Sequence, residues 1–235
     1  MKNILYGLTL FLALFFNSCE GDTTQDHSLI TNYVVFELKG GDFINVPVGT
    51  SYEEPGVIAT EGGEDVTSQV VISGAVDINK MGIYMVKYSA VNKDGFASSV
   101  YRTVAVYDPT IVVSIPSGTY TVAQGTHRLN PKTGAIVPYD GYKVNIKEAA
   151  LGIYQVSDYL GGYYDKRAGY GPAYAMKGYM KLNNNYTLEI LSGDVAGWSD
   201  SYEDFKDASY DPTTGVLKWS VAYAVNFVFN VILTK

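Results

Sequence analysis

The sequence predicts an all-β protein built as two antiparallel units in tandem. Three observations carry that expectation. From Asn32 onward the chain is a succession of short apolar–polar alternating runs punctuated by Gly, Pro, Asn and Asp, the pattern of half-buried strands and tight turns. Beyond Asp108 no stretch shows helical periodicity of useful length. The 235 residues suit two domains of about 100, and the composition changes midway: of 21 tyrosines, 14 lie from Tyr120 onward.

The first element in order is not a strand. Lys2 precedes a thirteen-residue apolar-rich run from Ile4 to Phe16, too short to span a bilayer but suited to a signal peptide. The run ends in "NSCEGD", and Cys19 is the only cysteine of the chain. A lone cysteine directly after such a run resembles the lipobox of bacterial lipoproteins, although Phe16 and Asn17 depart from its usual residues while Ser18 fits. The resemblance implies a signal peptide over 1–18, lipidation of Cys19, and membrane attachment through that lipid alone. The acidic residues that follow resemble the export signal of Bacteroidetes lipoproteins, which implies the outer face of the outer membrane. Loss of residues 1–18 leaves 16 basic and 24 acidic residues, a net charge of −8 against −7 for the full chain. With no cysteine pair, stability rests on core burial rather than disulfides. Residues 19–31 are polar and read as a flexible tether.

Residues 32–108 form the first unit. "NYVVFEL", "DFINVPVG", "VTSQVVISG", "GIYMVKYSAVN" and "FASSVYRTVAVYD" read as its strands. Tyr84, Val86, Tyr88 and Ala90 alternate onto one face, Asn92-Lys93-Asp94-Gly95 makes a turn, and the next strand sets Val100, Val104 and Val106 on one side. Arg102 interrupts that face, and such a residue snorkels at a rim or pairs with a carboxylate. Gly82, Tyr84, Val86, Tyr88, Ala90, Asn92 and Gly95, followed by Arg102, Thr103, Val104 and Val106, resemble the closing strands of bacterial surface immunoglobulin-like modules. That resemblance implies a β-sandwich serving as spacer or adhesion unit.

Residues 109–235 form the second unit, a β-sandwich or a barrel. "NPKTG" at 130–134 and "DPTTG" at 211–215 share a turn design in which Asn or Asp opens, Pro fixes the next φ, and Gly takes the left-handed position. "NNN" at 183–185 reads as a third hairpin between "YMKL" and "YTLEI". From Leu217 every second residue is apolar, through Trp219, Val221, Tyr223, Val225, Phe227, Phe229, Val231 and Leu233. Seventeen alternating residues are long for one strand, so a bend between Ala222 and Asn226 divides them. Trp219 falls on the core face.

The charge of −7 argues against nucleic acid, which needs a basic face. His27 and His127 both lie in loop-like sequence, and no metalloprotease, phosphate-loop, paired-cysteine or nucleophile-elbow pattern is present; "GWSDS" lacks the second glycine of the last. Asp200, Glu203, Asp204, Asp207 and Asp211 offer carboxylates for glycoside chemistry, but a charge run leading into a turn is the pattern of a solvated face. The same run lacks the glycine of a calcium loop. The reading is a non-enzymatic protein with no cofactor and no metal.

The aromatic residues are the strongest lead. "SDYLGGYYDKRAGYGPAYAMKGYM", 157–180, holds six tyrosines and five glycines. Sugars present flat C–H faces bordered by hydroxyls, which a ring and a neighbouring carboxylate can match. Tyr159, Tyr163, Tyr164, Tyr170 and Tyr174 lie among Asp158 and Asp165, and Trp198 sits in a Gly- and Asp-rich loop next to Asp200. These nine residues are the candidate ligand-binding set, with core packing as the standing alternative for the tyrosines. "GIYQVSDYLGGYYDKRAGYGPAYAMKGYMKL", "GWSDS" and "YDPTTGVLKW" also look like the C-terminal domain of a family of Bacteroidetes surface lipoproteins resembling accessory lipoproteins of polysaccharide utilisation. The resemblance implies capture of a polysaccharide or oligosaccharide at the cell surface. A structural or adhesive role with an outer-membrane protein partner is the rival reading, and a glycoside-active enzyme the third.

Overall fold

The computed structural model describes residues 30–225 and 227–235. The signal segment, Cys19, His27, all but the last two residues of the tether, and Asn226 lie outside that range.

The first unit is a two-sheet sandwich. One sheet has the order β1 (Val35–Leu38), β3 (Val57–Glu61), β4 (Glu64–Asp65). The other has the order β2 (Phe43–Pro47), β7 (Ala97–Tyr107), β6 (Gly82–Val91), β5 (Val71–Ser73), with β2 running parallel to β7. The alternation read from "GIYMVKYSAVN" sets register: Val86 and Tyr88 point inward to meet Val46, Val57, Val104 and Val106. The segment "VTSQVVISG" departs from the expected strand, because Thr67–Gln69 form a 3-10 turn and only Val71–Ser73 pair. Asp65 accepts the Thr67 backbone N–H at 2.8 Å, a local bond that competes with the ladder.

Arg102 is not at a rim. It is fully buried, 2.8 Å from Glu54 Oε1 through Nη1, and its Nη2 donates to the Gly56 carbonyl at 3.0 Å. Nη1 lies off the hydrogen-bond direction and Nε has no partner, so the pair holds by charge rather than by a bidentate fork. Tyr52 and Tyr88 donate their hydroxyls to the same carboxylate. Burial alone would raise the Glu54 pKa, but those two donors, the Gly56 N–H and Arg102 outweigh it and hold the group below its ordinary value.

The second unit is a closed barrel. β8 (Gly118–Val122), β11 (Lys143–Ala150), β12 (Ile153–Val156), β13 (Met176–Leu182), β14 (Leu188–Val195), β16 (Asp204–Asp211), β17 (Val216–Tyr223) and β18 (Phe227–Thr234) follow one another as an antiparallel meander. β18 returns to β8 through Leu233↔Val122 and Thr234↔Thr121. The remaining seam, between β14 and β16, is closed by the bridge Thr187↔Ser209 and the bond from the Tyr210 N–H to the Tyr186 carbonyl at 3.0 Å. The chain end meets the barrel start, where Lys235 Nζ donates to the Ser117 carbonyl at 3.2 Å. β9 (His127–Leu129), β10 (Ile136–Pro138) and β15 (Asp200–Ser201) add short flaps.

All three expected hairpins form: "NPKTG" joins β9 to β10, "NNN" joins β13 to β14, and "DPTTG" joins β16 to β17. The alternating C-terminal run splits as expected, with Trp219, Val221 and Tyr223 inward on β17 and Phe229, Val231 and Leu233 inward on β18. An eight-stranded barrel is just wide enough for side chains to fill, and Tyr120, Tyr154, Met180, Leu217 and Trp219 fill it. Each such side chain contributes about 1.5–3 kcal/mol by leaving water.

Connections in a meander alternate between ends. The turn at Gly152 packs against Ile111 and Met81, and Ala150 and Ile153 cluster with Phe43 and Ile83, so that end abuts the sandwich. The loops β8–β11, β12–β13, β14–β16 and β17–β18 gather at the opposite end.

Candidate functional site: the aromatic mouth of the barrel

The tyrosine-rich stretch is the β12–β13 connection, and it divides into a buried half and an exposed half. Asp158 opens it. Its Oδ1 accepts the backbone N–H groups of Leu160 at 2.9 Å and Met176 at 3.1 Å, and its Oδ2 accepts that of Gly162 at 2.8 Å. Burial raises its pKa to about 7 against the lowering effect of those donors, with Asp165 adding to the rise. Asp158 is therefore a loop staple rather than a ligand group. Tyr159 is wholly buried, edge-on to Trp219 and Phe205, and Trp219 Nε1 donates to its carbonyl at 2.8 Å.

A π turn over Tyr163–Arg167 then aims Tyr163 and Tyr164 inward, where each meets Phe229 at 5.3 and 5.7 Å. Gly162 makes this possible. Its φ is 81°, and a Cβ there would sit 2.8 Å from Tyr142 Cβ. Asp165 is mostly buried and pairs with Lys166 at 3.1 Å. Of the nine residues singled out, Asp158, Tyr159, Tyr163 and Asp165 thus serve the interior or its lid.

The exposed half builds a cup. Tyr170, 55% exposed, Tyr174, and Trp198, 41% exposed, line a concavity of about 280 Å³. Their rings stand steeply to one another: 86° for Tyr170 and Trp198 at 5.8 Å, 65° for Tyr174 and Trp198 at 4.7 Å, and 65° for Tyr170 and Tyr174 at 5.5 Å. Tyr164 lies beneath as a floor, 4.9 Å from Trp198 and parallel to Tyr170 at 6.1 Å. Edge-to-face contacts of this kind hold rings firmly, so the cup is preformed.

Gly197 ties the two loops. Its N–H donates to the Ala173 carbonyl at 2.7 Å, and a Cβ there would meet the Tyr174 ring at 2.7 Å. Asp200 completes the mouth, its Oδ1 accepting the Tyr223 hydroxyl at 2.6 Å. Tyr223 lies 6.2 Å from Trp198. The sequence placed Tyr223 on the core face, and only the fold shows that its hydroxyl reaches the mouth. Of five described non-glycine residues with positive φ, Ser199, Ala224 and Val225 border the cup at 55°, 58° and 59°. A β-branched residue in that region is strained, and such strain collects at binding and catalytic sites.

The remaining acids of 200–211 serve local structure. Glu203 accepts the Val225 N–H, Asp204 pairs with Lys206 at 3.6 Å, Asp207 takes a φ of 53° at a bulge in β16, and Asp211 caps its own hairpin through Thr213 and Thr214. Among the described residues no group of three His, Cys, Asp or Glu could hold a metal ion. His127 donates Nδ1–H to the Gly125 carbonyl at 2.8 Å and accepts from Asn230 at 3.2 Å, a satisfied strand histidine.

A family model for a C-terminal domain matches residues 108–235, and the model of the bacterial surface protein Ig-like domain matches residues 36–106. The crystal structure of the lipoprotein BT2262 from Bacteroides thetaiotaomicron is 45% identical, with a TM-score of 0.50, over 86% of this chain and 100% of that one. The structure of CBM51-2 in complex with GlcNAc and INT domains from Clostridium perfringens ZmpB is 20% identical, with a TM-score of 0.28, over 53% of this chain and 29% of that one. A likeness that slight bears on no ligand. No curated protein matches the sequence.

Proposed function

This chain belongs to the same family as the lipoprotein BT2262, and on that premise we propose that it is a lipid-anchored surface protein that binds glycans without cleaving them. Cys19 carries the lipid, the outer membrane holds it on its exterior face, and the sandwich of residues 32–108 lifts the barrel of residues 109–235 away from the bilayer. The barrel mouth is then the part farthest from the sandwich contact.

The observation that supports this reading is the cup itself. Tyr170, Tyr174 and Trp198 expose ring faces around one concavity, supported by the buried ring of Tyr164 and bordered by the Asp200 carboxylate. A sugar stacks its C–H face on a ring and donates its hydroxyls to a carboxylate. Affinity electrophoresis against a panel of plant and host polysaccharides tests it. At least one polysaccharide retards the protein, and Trp198→Ala weakens that retardation about tenfold while lowering stability by only about 1 kcal/mol. Equal retardation of the wild type, Trp198→Ala and Tyr170→Ala overturns it.

A second reading, a protein partner in the outer membrane, is favoured by the outer face of the four-stranded sheet, where Val71, Met85, Val91 and Tyr101 are exposed. Co-purification of a stable partner, with no polysaccharide retarding the protein, is the result it requires.

A further inference from the structure

The chain has three arginines. Arg102 is consumed by Glu54 inside the sandwich. The other two converge on a single ring: the Arg128 guanidinium lies 5.0 Å and the Arg167 guanidinium 5.1 Å from the centre of Tyr163. They come from different connections, Arg128 from β9 and Arg167 from the end of the π turn. Arg128 also stacks on Phe227 at 4.0 Å.

Neither arginine has a carboxylate within ion-pair distance among the described residues, although acidic residues outnumber basic ones by 24 to 17. The nearest acid on the same turn, Asp165, is paired with Lys166 and lies close enough to Asp158 to raise its pKa. Arg128 Nε is buried with no hydrogen-bond partner. A buried N–H donor left without an acceptor is costly unless something else supplies one. Stacking on two rings recovers only part of that.

This pair adjoins the cup. Tyr163 and Tyr164 touch edge to face at 5.1 Å, and Tyr164 is the floor beneath Trp198. Burial raises the Tyr164 pKa, and the Arg128 charge partly offsets that rise. The ring angles of 65° to 86° also matter, because three rings so inclined to one another do not form one flat platform for an extended chain face.

We infer that Arg128 and Arg167 form an anion subsite beside the cup, so that the glycan bound there carries a carboxylate or sulfate on the sugar held by Trp198. Guanidinium suits that task because its planar fork meets either oxyanion through two parallel N–H donors, which an ammonium cannot do. This rests on the glycan reading of the cup and narrows it to acidic sugars.

Matched ligand pairs test the inference by calorimetry on the full mature chain: sialyllactose against lactose, polygalacturonate against its methyl ester, and chondroitin sulfate against desulfated chondroitin. At least one acidic member binds about tenfold or more tighter than its neutral partner, and the advantage shrinks as salt rises. The pair showing it distinguishes carboxylate from sulfate. Arg167→Gln, at an exposed position, removes the advantage while leaving neutral binding and the unfolding curve unchanged. Arg128→Gln does the same, and if it lowers stability through its stacking on Phe227, Arg167→Gln alone decides the matter. Equal binding of both members of every pair overturns the anion subsite and leaves the cup standing. Binding of no glycan in any pair or in the polysaccharide panel overturns both.

Discussion

The two tryptophans of the barrel sit in neighbouring aromatic clusters and do opposite work. Trp219, 2% exposed, fills the interior, and its indole N–H is satisfied by the Tyr159 carbonyl. Trp198, 41% exposed, makes no hydrogen bond through its indole N–H among the described residues and turns part of its face to solvent at the mouth. Both meet tyrosines edge-on, Trp219 at 5.7 Å from Tyr159 and Trp198 at 4.7 Å from Tyr174. Ring packing alone therefore does not separate core from site. What separates them is backbone: Trp219 stands on a strand paired on both sides, whereas Trp198 rides a loop held by Gly197 and followed by a left-handed Ser199.

That contrast is broken most forcefully at its buried end. Trp219→Ala removes the largest interior side chain and is expected to cost about 3–5 kcal/mol in denaturant unfolding. A loss under about 1 kcal/mol would show that the interior collapses around the gap and that Trp219 is no keystone. Asp158→Ala comes next, at about 3 kcal/mol, because three backbone N–H groups lose their acceptor in the interior.

The same residue sets a pH dependence. Its folded pKa of about 7 lies above its ordinary value of 3.8. The protonated carboxyl is thus favoured by the fold, and its contribution is fully present below about pH 4 and lost as pH rises through about 7. Unfolding free energies measured from pH 4 to 8 should show that falling limb in the wild type and a flatter one in Asp158→Asn; parallel curves would remove Asp158 as its source.

At the exposed end the effects shrink. Gly197→Ala drives a methyl into the Tyr174 ring and should cost about 1–2 kcal/mol, with glycan affinity falling as the cup deforms. An unchanged affinity would show that Tyr174 moves aside freely. Trp198→Ala is expected to change stability least, by about 1 kcal/mol, since much of the ring already faces water. A loss as large as that of Trp219→Ala would erase the distinction between the two clusters.

The strands were legible where local chemistry decides them. Period-two alternation placed Trp219 and its neighbours, and Asn/Asp-Pro turns placed two hairpins to within a residue or two. Closure of the second unit was not legible, because its last seam rests on the bridge Thr187↔Ser209 and the Tyr210–Tyr186 bond, between segments that carry no mutual signal. The tyrosine stretch was half legible for a related reason. Its composition marked it as special, but the division into Tyr159, Tyr163 and Tyr164 inside against Tyr170 and Tyr174 outside follows from the π turn and from the Asp158 staple. Neither has periodicity to read. Arg128 was missed as a neighbour of the site because 35 positions separate it from Tyr163 in sequence, while β9, paired to β18, brings it across the mouth.

The meeting of the last residue with the first barrel strand has a practical consequence. Because β18 pairs with β8 and Lys235 reaches Ser117 at 3.2 Å, the domain is circular in all but covalent connection. A short linker could join its two ends and new termini could be cut in the Thr213–Thr214 turn between β16 and β17, away from the aromatic mouth and outside the Thr187↔Ser209 bridge. The barrel is in that sense a transferable cartridge: its aromatic mouth could be carried on another support, or recoded loop by loop, with the strand order kept.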